Sequence, residues 1–220
     1  RPLRETWRLM AVARERPKVL GAILAISWFW FLGAAYLTQF PNFAKTWLAG
    51  DETVVTLLLA MFIVGISAGS MLCERLTKHR ITLAPVPWGA LGLTLLGIDL
   101  LLVVTSNTGR SCWLSTMTEP VYMRVLLYLV GIGICGGLFI VPLYAFIQYE
   151  TPDHKRARII AALNVINSLF MVASAIAGIL VLGVFDLGIP TFFLILSLVN
   201  ALVWVSVLGL RRRAAQSGDN

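Results

Sequence analysis

Six stretches of the chain run for about twenty residues with almost no charge: Val19–Phe40, Val54–Leu72, Val86–Val104, Val125–Ile147, Ile159–Gly183 and Pro190–Leu210. A helix rises about 1.5 Å per residue, so each run is near or above the length that crosses a ~30 Å hydrocarbon layer. Lipid offers no partner for a bare N–H or C=O, so a run this long and apolar is expected to satisfy its backbone internally, as a helix. The pattern therefore predicts an all-α membrane protein with six transmembrane helices, residues 19–210, flanked by segments 1–18 and 211–220.

Composition supports the same class. Apolar residues make up 58% of the 220 and charged residues 13%, more apolar surface than a soluble domain of this size can hide. The net charge of +7 would suit nucleic acid, but its distribution points elsewhere. Fifteen of the 18 basic residues fall in connections of one parity: before run one, between runs two and three, between four and five, and after run six. The other parity holds Lys45, Arg110 and Arg124. By the positive-inside rule both termini face the cytoplasm.

The outer connections are then Pro41–Thr53, Thr105–Arg124 and Phe185–Gly188, and the inner ones are short and charged. Leu3, Trp7 and Met10 share a helical face, so Leu3–Glu15 reads either as a helix lying in the inner interface or as a linker. Small residues recur at four-residue steps, at Gly65 and Gly69, Gly133 and Gly137, and Ser174 and Gly178, spacings that let helix backbones approach closely in lipid. Gly131, Gly133 and Gly136 satisfy G-x-G-x-x-G, but inside an apolar span rather than at a strand-to-helix turn, so no dinucleotide is expected.

Chemistry-bearing residues are few. Both histidines, His79 and His154, lie in inner connections, which leaves no intramembrane base for a serine and no metal cluster. Cys73, Cys112 and Cys135 lie too far apart to pair. No enzyme activity, cofactor or metal is expected. Polar side chains within spans should face the bundle or water. Trp28, Tyr36 and Gln39 in run one, Tyr144 and Gln148 in run four, and Asn164 with Asn167 in run five are candidates for a polar substrate path, or for interhelical hydrogen bonds. Asp99, about 8 Å from the outer end of run three by helical rise, is either a structural partner or a coupling residue, since a central Asp costs ~2.5–3.5 kcal/mol. At the inner ends, Glu74, Arg75 and Lys78, and Glu150, Arg156 and Arg158, are candidates for a charged latch between helices.

These features resemble the C-terminal half of a major facilitator superfamily transporter. Leu72, Arg75, Lys78 and His79 follow the family's inner-loop pattern Gly-x-Leu-x-Asp-Arg-x-Gly-Arg-Arg, while Ser70, Glu74 and Thr77 depart from it. Three stretches are most similar to the lysophospholipid transporter branch, which includes forms fused to acyltransferase and acyl-carrier-protein synthetase domains. They are Ile26-Ser-Trp-Phe-Trp-Phe-Leu-Gly-Ala34 with Leu37-Thr-Gln-Phe-Pro41, Gly136-Gly-Leu-Phe-Ile-Val-Pro-Leu-Tyr144, and Arg156-Ala-Arg-Ile-Ile-Ala-Ala162 through Asn164 and Asn167.

The resemblance implies two inverted three-helix repeats, a missing N-terminal six-helix half as partner, and residues 1–18 as the end of a central loop. It implies a cavity lined by the first and fourth helices, with the third outside. The expected function is movement of lysophospholipid across the membrane by alternating access. The alternatives are an exporter of small amphipathic compounds and a membrane-anchoring module of a lipid-modifying enzyme.

Overall fold

A computed structural model describes residues 17–47, 51–78, 80–106 and 120–215. Within them the chain forms six helices and no strand: α1 Pro17–Trp47, α2 Glu52–Thr77, α3 Val86–Ser106, α4 Pro120–Glu150, α5 Asp153–Gly178 and α6 Ile189–Ala215. A π-helical segment, Ile179–Val184, continues α5. Five helices (α1, α2, α4, α5 with its π-helical end, and α6) are long and apolar enough to cross a membrane, and the apolar stretch of α3, Val86–Leu100, is shorter. Leu3–Glu15, His79, Arg110, Cys112 and the far end of the C-terminal tail lie outside the described residues.

The helix ends follow local chemistry. Asp51 caps α2, its Oδ1 accepting from the N–H of Thr53 at 3.0 Å and of Val54 at 3.2 Å, a cap worth about 1 kcal/mol. Lys78 closes α2 in the left-handed region at φ 50°, its N–H directed to the carbonyls of Glu74 and Arg75. Asp153 stands in the first turn of α5, and Arg212 and Arg213 in the last turn of α6, each matched to the helix dipole.

Two expected boundaries move. Pro41 does not end the first helix; α1 continues through it to Trp47. Proline removes one backbone bond, but Phe40, Phe43 and Ala44 are all buried beyond or beside it, and Phe43 packs on Phe193 with centroids 6.0 Å apart. Tertiary packing thus carries the helix past the break. At the other end, Arg211 to Ala215 belong to α6 rather than to a separate tail.

The broad interfaces are α2 with α4, α3 with α4, α3 with α6 and α1 with α5; α1 also packs on α4, α6 and α2. Exchanging α1, α2, α3 for α4, α5, α6 carries the α2–α4 pair onto α5–α1 and the α3–α4 pair onto α6–α1, and returns α1–α4 and α3–α6 to themselves. The α1–α2 contact has no α4–α5 counterpart of like extent, so the exchange relates the other helix pairs and not this one.

Gly65 and Gly69 on α2 cross Gly133 and Gly137 on α4 backbone to backbone. A Cβ at Gly137 would lie 2.7 Å from the Ile66 carbonyl oxygen, and one at Gly69 would strike that of Ile134. The bundle exterior is apolar on every side, with Ile63, Trp88, Leu127, Leu169 and Leu202 each more than half exposed. Exposed apolar surface of that extent suits contact with lipid.

Candidate functional site

Between α1, α2 and α4 lies an open cavity of about 610 Å³, within the ~300–1,000 Å³ of small-molecule sites. From α1 it takes Phe29, Trp30, Gly33, Ala34 and Leu37, which recur at the spacing of one helical face. From α2 it takes Phe62 and Ile66, and from α4 Ile140, Val141, Tyr144, Ala145 and Gln148. Met171 of α5 completes it. No lining side chain carries a charge. The polar atoms in the wall belong to Trp30, Tyr144 and Gln148.

Trp30 and Tyr144 are held by a polar node where α1, α4 and α5 meet. The Trp30 indole N–H donates to the Tyr144 hydroxyl at 3.2 Å. Asn167, buried on α5 at 5% exposure, lies 3.4 Å from that hydroxyl and 2.9 Å from Ser27 Oγ. With its amide turned so that the oxygen faces α1, Asn167 also accepts from the Trp30 indole at 3.2 Å, and its nitrogen donates to Ser27 Oγ and, at 3.3 Å, to the Leu163 carbonyl. In either orientation the node ties both aromatic rings to a group outside the cavity. A bonded amide is the form in which a buried polar side chain is tolerated here.

The seven candidate path residues divide. Tyr144 and Gln148 line the cavity, and Asn167 sits behind it. Trp28 and Tyr36 turn instead toward α6. The Trp28 indole N–H donates to Asn200 Oδ1 at 2.9 Å, and Asn200 Nδ2 donates to the Ala90 carbonyl at 2.9 Å and to Thr94 Oγ1 at 3.0 Å. These bonds tie α1, α3 and α6 together. Tyr36, 6% exposed, bonds to Ser197. Gln39 accepts weakly from Asn42 at 3.4 Å and approaches Gly178. Asn164 is exposed on α5, in a row with Ser168, Met171 and Ala175.

The sequence reading missed Ser27, Trp30 and Asn200. For Trp30 the signal was present: Trp30, Gly33, Ala34 and Leu37 form an i, i+3, i+4, i+7 stripe of one large ring beside small residues. Residues two apart on a helix point about 200° apart, so a face drawn through Trp28 points away from the one that carries Trp30.

Asp99 is exposed on α3 and bonds to Tyr128 of α4, away from the cavity. At the inner ends, Glu74, Arg75 and Lys78 are exposed. Arg156 pairs with Asp153 one turn away at 2.7 Å and donates from Nε to the Gln148 carbonyl at 3.2 Å. The second bond fastens the start of α5 to the end of α4. The ion pair, with Asp153 89% exposed, is of a kind worth only ~0.2–1 kcal/mol. Glu150 is half-buried and Arg158 exposed. Cys73 and Cys135 are free thiols, and among the described residues no three His, Cys, Asp or Glu side chains gather to hold a metal.

No protein-family model matches this chain, and no curated protein or solved structure matches it.

Proposed function

We propose that the chain is one half of an alternating-access transporter that moves lysophospholipid across a bacterial inner membrane. All six helices would span, with both termini cytoplasmic. At 21 residues, α3 reaches about 32 Å, enough for the ~30 Å layer. The observation that carries the reading is the large, uncharged, mostly apolar cavity opening between α1, α2 and α4, with its few polar atoms contributed by Trp30, Tyr144 and Gln148. An amphipath with one chain matches that chemistry.

The exchange that relates most of the helix contacts supports the inverted-repeat form of a major facilitator half. The exposed row Asn164, Ser168, Met171 and Ala175 on α5, reaching the cavity through Met171, is the surface a second six-helix half would cover. Rocking of the halves would open the cavity to one leaflet and then to the other, with the charged ends at Glu74–Lys78 and Glu150–Arg158 meeting and parting on the inner side.

The test is uptake of labelled lysophosphatidylethanolamine into vesicles that carry the protein with its second half. Gln148→Ala and Asn164→Ala are expected to lower uptake while leaving membrane insertion unchanged. Equal loss of both quantities would make the two residues structural. The uncharged wall also suits an exporter of small amphipathic compounds; a compound that is transported and is not displaced by lysophospholipid would favour that cargo instead.

A further inference from the structure

The cavity is sorted along its length. Gln148, Tyr144 and Trp30 gather toward the C-terminal end of α4, and one turn further along α1 the wall becomes Gly33, then Leu37, with Phe62 opposite. From the Trp30–Tyr144 pair, three residues to Gly33 on α1 and four to Gln148 on α4 give an offset along the helix axes of about 11 Å. Gly33 also borders a second void of about 20 Å³ that reaches toward Tyr36 and Asn200, and Phe29, Gly33 and Phe62 line both spaces.

Gly33 differs in kind from the glycines of the α2–α4 crossing. A Cβ at Gly65, Gly69, Gly133 or Gly137 collides with backbone, whereas one at Gly33 meets nothing within 4 Å. Helix packing therefore gives no reason for glycine here, and glycine within a helix costs ~1 kcal/mol relative to alanine. What its absence of side chain provides is room in the cavity.

We propose that Gly33 is a specificity-determining residue that sets how much apolar chain the cavity holds, the cargo's polar end resting at Trp30, Tyr144 and Gln148. The inference rests on the transporter reading above and adds to it the part of the cargo that this half measures. With no charged side chain in the wall, this half reads the chain and not the charge of the headgroup.

The experiment uses the protein with its second half in phosphatidylcholine vesicles. Capture of a photoreactive palmitoyl lysophosphatidylethanolamine is competed by unlabelled lauroyl, myristoyl and palmitoyl species and by palmitoyl lysophosphatidylglycerol. Forcing a full chain against an added Leu side chain is overpacking, so in Gly33→Leu the palmitoyl competitor should weaken about tenfold relative to the lauroyl one. Gly33→Ala should give a smaller shift in the same direction and guards against a Leu variant that fails to fold. Gly209→Leu, at a glycine on α6 that is equally open but absent from the cavity wall, should leave the profile unchanged. The two palmitoyl headgroups should compete alike in every variant. An unchanged chain profile in Gly33→Leu and Gly33→Ala, with capture retained, overturns the role of Gly33 and leaves the transporter reading standing. Absence of capture by the unaltered protein overturns both.

Discussion

The indole of Trp30 has one face toward the cavity and its N–H toward Tyr144 and Asn167, so a single buried amide governs how two cavity rings stand. Asn167→Ala is expected to lower lysophospholipid uptake about two- to tenfold, the scale of one net hydrogen bond of ~0.5–1.5 kcal/mol, and to lower the unfolding midpoint in detergent as well, because the buried Ser27 hydroxyl loses its partner. Tyr144→Phe should fall in the same range. The second buried amide acts on stability alone. Asn200→Leu strands the Trp28 N–H and should cost ~1–3 kcal/mol, read as a lowered unfolding midpoint, while uptake per folded molecule stays constant. Adding Trp28→Phe should recover part of the loss, because removing both partners is cheaper than orphaning one. Tyr144, Gln148 and Asn167 were legible in the sequence because polar residues in a span are rare enough to name. Trp28 and Trp30 were not separable, since two tryptophans on opposite faces of one helix look alike until packing shows which face is filled.

The helices themselves were written plainly. Each apolar run became one helix, because in lipid no other backbone arrangement satisfies so long a stretch. The four-residue glycine steps on α2 and α4 became a backbone crossing for the same reason of proximity that made them conspicuous. Gly137→Leu should therefore force α2 and α4 apart and abolish the folded fraction recovered in detergent, whereas Gly33→Leu should not. The errors lay at ends, where local signals compete with packing. Pro41 reads as a terminator, yet the buried Phe40, Phe43 and Ala44 hold α1 in register beyond it. Pro41→Ala would restore a donor for the Leu37 carbonyl and should raise the unfolding midpoint slightly. The π-helical end of α5 carries no sequence mark that distinguishes it from the helix before it.

At the scale of the molecule, the cavity and the order in which the helices pack belong to no single run. They arise from which helices adjoin, information that periodicity does not contain. The asymmetry of Lys and Arg does speak at this scale, and it fixes an expected orientation. Single cysteines placed at Lys155 and Arg212, with Cys73, Cys112 and Cys135 replaced by serine, should react with an impermeant thiol reagent only from the cytoplasmic side; labelling from the opposite side would invert the assignment. On the proposed reading, the exposed row on α5 and the open side of the cavity are where a second six-helix half would dock. The central claim is that this cavity carries lysophospholipid across the membrane, and uptake of labelled lysophosphatidylethanolamine into vesicles, with and without the protein and its second half, tests it most directly. Uptake that requires the protein and falls with Gln148→Ala is the predicted result; uptake no faster than in protein-free vesicles would contradict it.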